Sequence, residues 1–274
     1  MQAALPEAAA STAPQPLRVG IFDSGVGGLS VMRAIRERLP RAELLYAADT
    51  GFAPYGDRTE QFVCERSETI AAFLRARGAQ VVVVACNTAT AAAVAALRAA
   101  APGLPIVGVE PGIKPAFALS RAGRIGVLAT TRTLASEKFR RLAQAHAGSA
   151  QLVLQACPGL VDAIEAADAA GSGLDVLVER YCAPLREAGV DVAVLGCTHY
   201  VFARELFERA LPGVTLVDTA DAVARQTARL AEAIDAPAPA AIPVRAWSSG
   251  DPQVLGAFAQ RWLGLSLDVS PMAE

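Results

Sequence analysis

Short apolar runs alternate along this chain with segments of helical period, and that alternation limits its fold more than any other feature. The runs are "LRVGIFD" (17–23), "AELLYAAD" (42–49), "QVVVVAC" (80–86), "LPIVGVE" (104–110), "GRIGVLAT" (123–130), "AQLVLQAC" (150–157), "VDVAVLGC" (190–197) and "GVTLVD" (213–218). They have strand length and are apolar throughout, as strands buried on both faces are. Between the first two, Val26, Leu29, Met32, Ile35 and Leu39 step by three or four residues, as one face of a helix does. Stretches 59–77, 88–101, 133–146 and 174–188 look similar. Strand and helix in turn predict an α/β protein whose mainly parallel sheets are flanked by helices.

The chain also repeats itself. "RVGIFDSG" (18–25) aligns with "RIGVLATT" (124–131), and "VVVVACNTAT" (81–90) returns at nearly the same spacing as "VAVLGCTHYV" (192–201). Two pseudo-symmetric α/β lobes facing each other are therefore expected. In open α/β sheets, ligands bind beyond the carboxyl ends of the strands. Asp23, Asp49, Cys86, Thr130, Cys157, Cys197 and Asp218 all stand at such ends, so one cleft between the lobes can gather most of them.

Composition removes several function classes. Of the 274 residues, 53% are hydrophobic, but much of that is alanine, and charges such as Arg98 interrupt the apolar stretches before they reach membrane-spanning length. Residues 1–17, "MQAALPEAAASTAPQPL", lack a basic start and carry Glu7 and three prolines, which predicts a flexible tail rather than a secretory signal. A net charge of −2 with scattered arginines gives no footprint for nucleic acid. Five cysteines without a C-x-x-C pair suggest neither a disulfide framework nor a zinc site, so a reducing cytoplasm is expected and no metal.

Two stretches carry the chemistry. "FDSGVGGLS" (22–30) partly fits a dinucleotide fingerprint through Gly25 and Gly27, but Ser30 holds the third position and Asp23 would repel a pyrophosphate. The turn could instead hold one carboxylate with help from Ser24, or simply use Ser24 as a helix N-cap. Cys86 and Cys197 each end a strand and are followed by polar residues, which is wasteful for thiols that only fill a core. A disulfide oxidoreductase would keep its thiols in one turn. A cysteine hydrolase needs a histidine base, and only His146 and His199 exist. The third option uses both thiols as equals, one removing a proton from a substrate carbon and the other delivering one to its opposite face.

Asn87, Thr88 and Thr198 suit a substrate carboxylate, while Asp23, Asp49 and Glu165 could take an ammonium group or tune a thiol. His199 stands two residues from Cys197. Pyridoxal phosphate, the usual route to amino-acid racemisation, needs a lysine, and only Lys114 and Lys138 are available, so no cofactor is expected. Cys64 and Cys182 fall in helical stretches and read as core, and Cys157, before Pro158, reads as structural.

The stretches "GIFDSGVGGLSV" (20–31), "YAADTGFAPYGDRT" (46–59), "VVVACNTATA" (82–91), "IGVLATTRT" (125–133), "CPGLVDAIE" (157–165) and "VLGCTHY" (194–200) resemble the successive signatures of the bacterial glutamate racemases. The likeness runs from about residue 18 to "SSGDP" (248–252). It implies cofactor-independent interconversion of L- and D-glutamate, which supplies D-glutamate for peptidoglycan. Cys86 then matches the base for D-glutamate and Cys197 the base for L-glutamate. Asp23 and His199 match residues that assist them, and Glu165 a further acid. Substrate contacts fall on Asp23, Ser24, Pro54, Tyr55, Gly56, Asn87, Thr88, Thr130, Thr198 and His199.

The resemblance also implies lobes of 18–109 with 219–274, and of 110–218. It leaves a homodimer open as the assembly. Val201 and Thr219 depart from the family's usual proline and serine. Two alternatives stay beside this reading: a racemase of a related acid such as aspartate, and a non-catalytic regulatory protein of the kind that inhibits gyrase.

Overall fold

The computed structural model describes residues 16–146, 150–166, 173–234 and 244–273. The tail expected over 1–17 lies outside them, apart from its last two residues. Among the described residues there are ten strands: β1 (Arg18–Asp23), β2 (Glu43–Ala48), β3 (Val81–Val84), β4 (Ile106–Gly108), β5 (Arg124–Ala129), β6 (Gln151–Ala156), β7 (Val192–Leu195), β8 (Thr215–Val217), β9 (Val244–Ser248) and β10 (Val269–Pro271). The helices are α1 (Leu29–Arg38), α2 (Glu60–Ala76), α3 (Asn87–Ala100), α4 (Ile113–Leu119), α5 (Thr131–Ala135), α6 (Glu137–His146), α7 (Leu160–Ala166), α8 (Leu174–Glu187), α9 (Arg204–Ala210), α10 (Ala220–Ala231) and α11 (Pro252–Leu263). No helix among the described residues is long and apolar enough to cross a membrane.

The strands form two sheets, one ordered β10-β9-β2-β1-β3-β4 and the other β6-β5-β7-β8. Every ladder in both is parallel. β1 and β3 in the first sheet, and β5 and β7 in the second, are the pairs whose carboxyl ends carry the repeated motifs. Their residues, such as Val83, Val84, Val127 and Val194, are fully buried because helices cover both faces. The chain passes from the first sheet to the second after β4 and returns after β8. At the first crossing a Cβ on Gly112 would meet Val217 at 2.8 Å, so the two connections run against each other.

Three readings of the sequence need correction. The stretch 133–146 is two helices, because Ser136 turns extended (ψ 144°) and its hydroxyl accepts the Phe139 N–H at 3.1 Å, capping α6. Ser24 caps nothing: α1 starts at Leu29 with Gly28 in the cap position, and the Ser24 hydroxyl turns toward Cys86. Strands β9 and β10 escaped notice, since "VRAWS" breaks its apolar run with Arg245 and "VSP" is a short, largely exposed edge.

Candidate active site

Cys86 stands just beyond β3, in extended backbone (φ −120°, ψ 125°). The Ala85 N–H donates to the Phe22 carbonyl at 2.7 Å, which ties the end of β3 to β1, and Cys86 then serves as the N-cap of α3. Its sulfur accepts the Ala89 N–H at 3.4 Å, where a serine or aspartate oxygen would usually stand. The Ser24 hydroxyl lies 3.5 Å away. Burial pushes the Cys86 thiol up to about 12, the Asp23 carboxylate adds to the rise, and the bonds from Ser24 and Ala89 offset only part of it. The sulfur is therefore protonated at rest near neutral pH, and the thiolate it forms is strongly basic.

Asp23 lies beneath this thiol, with no solvent exposure. Its carboxylate accepts the Ser24 N–H at 2.8 Å and the Gly28 N–H at 2.5 Å. Burial raises its pKa, and the positive charge of His199 together with the two N–H bonds works against that rise. Asp23 thus joins the two thiol environments electrostatically, one through Ser24 and the other through His199.

Cys197 follows Gly196 at the end of β7, and the Gly196 N–H donates to the Leu128 carbonyl at 2.7 Å. The Cys197 sulfur stands 3.8 Å from Nδ1 of His199, whose Nε2 is 2.7 Å from a Glu165 carboxylate oxygen. Burial alone would lower the His199 pKa, but its bonds to Cys197 and Glu165 outweigh burial and hold it well above the usual range. The ring is held at both nitrogens, Nδ1 by Cys197 and Nε2 by Glu165. The proximity of Cys197 and His199 was legible from their spacing, whereas Glu165 reaches the ring from α7, which no local pattern could show.

The glycines of "SGVGG" now have a physical reason. A Cβ on Gly27 would come within 2.4 Å of His199 Nδ1 and 2.6 Å of the Thr198 hydroxyl, and one on Gly25 within 3.0 Å of Glu165. The turn after β1 lies directly against the Cys197 loop, and Ser30 donates across the contact to the Thr198 carbonyl at 3.4 Å. The glycines serve close approach between the two halves of the site.

A cavity of about 220 Å³ lies between the carboxyl ends of the two sheets. Cys86 and Cys197 both line it, with Ser24, Asn87, Thr88, Thr130, Thr198, His199 and Glu165, and the Pro54–Gly56 segment closes one side. The residues expected at the site are thus gathered there, apart from Asp49 and from Asp23, which bonds to Ser24 behind the cavity wall. Asn87 is buried, and neither its side-chain oxygen nor its nitrogen has a partner, which is costly unless a bound molecule supplies one.

Asp49 is the exception among the acids. It was expected to take an ammonium group or tune a thiol, but both of its oxygens bond to Arg66, at 3.0 and 2.9 Å, and the Tyr55 hydroxyl donates to it at 2.5 Å. Its task is to hold the Tyr55 loop. Arg66 in turn stacks on Phe52 at 3.7 Å; it lies in α2, outside every motif, and was missed for that reason. Cys157 also lines the cavity, buried, with its sulfur bonded to the Gln155 carbonyl at 3.5 Å. Cys182 is fully buried and Cys64 partly so.

Known proteins match this arrangement. The family described as Asp/Glu/hydantoin racemase matches residues 20–227. The glutamate racemase of Pseudomonas aeruginosa is 50% identical over 238 residues, covering 86% of this chain and 89% of its own length. That of Pseudomonas paraeruginosa is 49% identical over 248 residues, covering 89% and 92%. Among solved structures, a glutamate racemase isoform from Bacillus anthracis matches with a TM-score of 0.86 at 29% identity, over 94% of this chain and 97% of that one. Escherichia coli glutamate racemase, in complex with L-glutamate and the activator UDP-MurNAc-Ala, matches with a TM-score of 0.81 at 34% identity, over 95% and 99%.

Proposed function

The chain belongs to the Asp/Glu/hydantoin racemase family, and on that premise we propose that it interconverts L- and D-glutamate in the cytoplasm without a cofactor, supplying D-glutamate for peptidoglycan. The observation that carries this reading is the pair of buried strand-end thiols, Cys86 and Cys197, in one small cavity, each with its own acid or base group behind it. Neither lysine lines that cavity, so a Schiff base has no place to form there.

Cys86, as thiolate, takes the α-proton of D-glutamate, and Cys197 delivers a proton to the opposite face of the carbanion; L-glutamate reacts by the reverse route. The α-proton is a very weak acid, so the site must make a strong base and hold the developing charge. Burial makes the Cys86 thiolate basic. Asn87, Thr88 and Thr198 donate to the α-carboxylate, whose charge grows as the carbanion forms. Asp23 and Ser24 manage the proton on Cys86, and the His199–Glu165 pair manages the one on Cys197. The lobes formed by 18–109 with 219–274, and by 110–218, supply one thiol each.

The test is direct: the purified chain, without added cofactor, is given L-glutamate, D-glutamate, L-aspartate or D-aspartate, and optical rotation is followed. Loss of rotation with both glutamates and little with aspartate is expected. Racemisation of aspartate alone would move the assignment to that acid, and inertness toward all four would end the enzymatic reading.

A further inference from the structure

A second cavity, of about 430 Å³, opens beside the first. The two share Gly56, Thr88 and Thr131 in their walls. Where they meet, the Thr88 and Thr130 hydroxyls stand 3.4 Å apart, one on the α3 side and the other ahead of α5. On its far side the outer cavity is bordered by exposed residues of α2, α5 and α6, among them Glu60, Ala135 and Arg140, so it communicates with solvent.

Three cations line this outer space. Arg140 is paired with Glu137 at 2.5 Å and Lys138 with Glu110 at 3.4 Å. Arg132 differs from both: among the described residues no carboxylate pairs with it, and its Nε is buried without an acceptor. A guanidinium N–H withdrawn from water and left without an acceptor is costly, and it gains most from a bound anion.

We propose that the outer cavity is an antechamber that docks the carboxylate of the incoming amino dicarboxylate on Arg132, before the molecule passes Thr88 and Thr130 to reach the two thiols. The proposal rests on the glutamate reading above. It assigns Arg132 a role in capture only. Glutamate carries a net charge of −1 near neutral pH, from two carboxylates and one ammonium group. Arg132 attracts it, while Glu60 on α2 offers the ammonium group an anion. Long-range attraction of this kind acts on binding, is screened by salt, and leaves the chemical step alone.

The experiment compares wild type with Arg132→Gln and Arg132→Lys, measuring kcat and KM for both glutamate enantiomers at about 20 mM and about 300 mM ionic strength. Arg132→Gln is expected to raise KM about three- to tenfold at the lower ionic strength, with kcat within about twofold and the difference narrowing at the higher one. Arg132→Lys, which keeps the charge, should stay near wild type. An unchanged KM in Arg132→Gln, a rise that salt does not reduce or lysine does not restore, or a fall in kcat instead would each overturn the antechamber. If wild type racemises neither enantiomer, the glutamate reading itself has failed; an active wild type with an indifferent Arg132→Gln variant defeats only the antechamber.

Discussion

Cys86 and Cys197 differ in surroundings, and the difference decides how each would respond to change. Replacing either by alanine removes one of two proton carriers, so racemisation should fall by at least about a thousandfold in both directions, while far-UV circular dichroism stays unchanged. A variant that kept more than about a tenth of the activity would show that its thiol carries no proton. Cys86 also links the fold to pH. Its pKa rises from about 9 in the unfolded chain to about 12 in the fold, so its contribution to stability is intact below about pH 9 and is lost as pH climbs toward 12, at up to ~1.4 kcal/mol per pH unit. Denaturant titrations at about pH 8 and about pH 10.5 should show wild type losing more stability than Cys86→Ala; equal losses would mean that the buried thiol is not the titrating group. The sequence showed the two thiols because each ends an apolar strand and is followed by donors. It misjudged Asp49, whose claim on Arg66 depends on a helix that folds back over the strand end.

At the scale of elements, the turn between β1 and α1 does most to join the halves of the site. Gly27 has no positive φ, so alanine would suit its backbone, yet an added Cβ would overlap His199 and Thr198. Gly27→Ala should therefore cost activity far more than stability: kcat down by about a hundredfold or more, with a loss of about 1–3 kcal/mol in denaturation. Steady-state kinetics beside a urea titration would check this, and a variant with full kcat would contradict the packing of this turn on His199. The turn's glycines were visible in the sequence, but the reason for Gly25 and Gly27 was not, because it lies in Glu165, Thr198 and His199, far along the chain. The same limit hid the break at Ser136, which one hydroxyl creates by capping α6 within an unbroken helical period. Strands β9 and β10 were hidden because sheet edges need little apolar sequence. The inner strands, buried on both faces, announced themselves.

At the scale of the whole molecule, two parallel sheets aim their carboxyl ends at one cavity, which both thiols line. The strand-helix alternation and the internal repeat made this architecture legible. The strand order was not, since nothing local tells β9 to add beside β2 or β6 to take an edge. Two bases on opposite faces imply that the hydrogen removed and the hydrogen delivered are different atoms. Racemisation of each glutamate enantiomer in heavy water, stopped early and analysed by mass for product and remaining substrate separately, tests this most directly. The account predicts that the product enantiomer carries solvent deuterium at Cα while the remaining substrate keeps its hydrogen, in both directions. Product that retains the substrate's own hydrogen, or substrate that exchanges as fast as product forms, would point to a single base and contradict it.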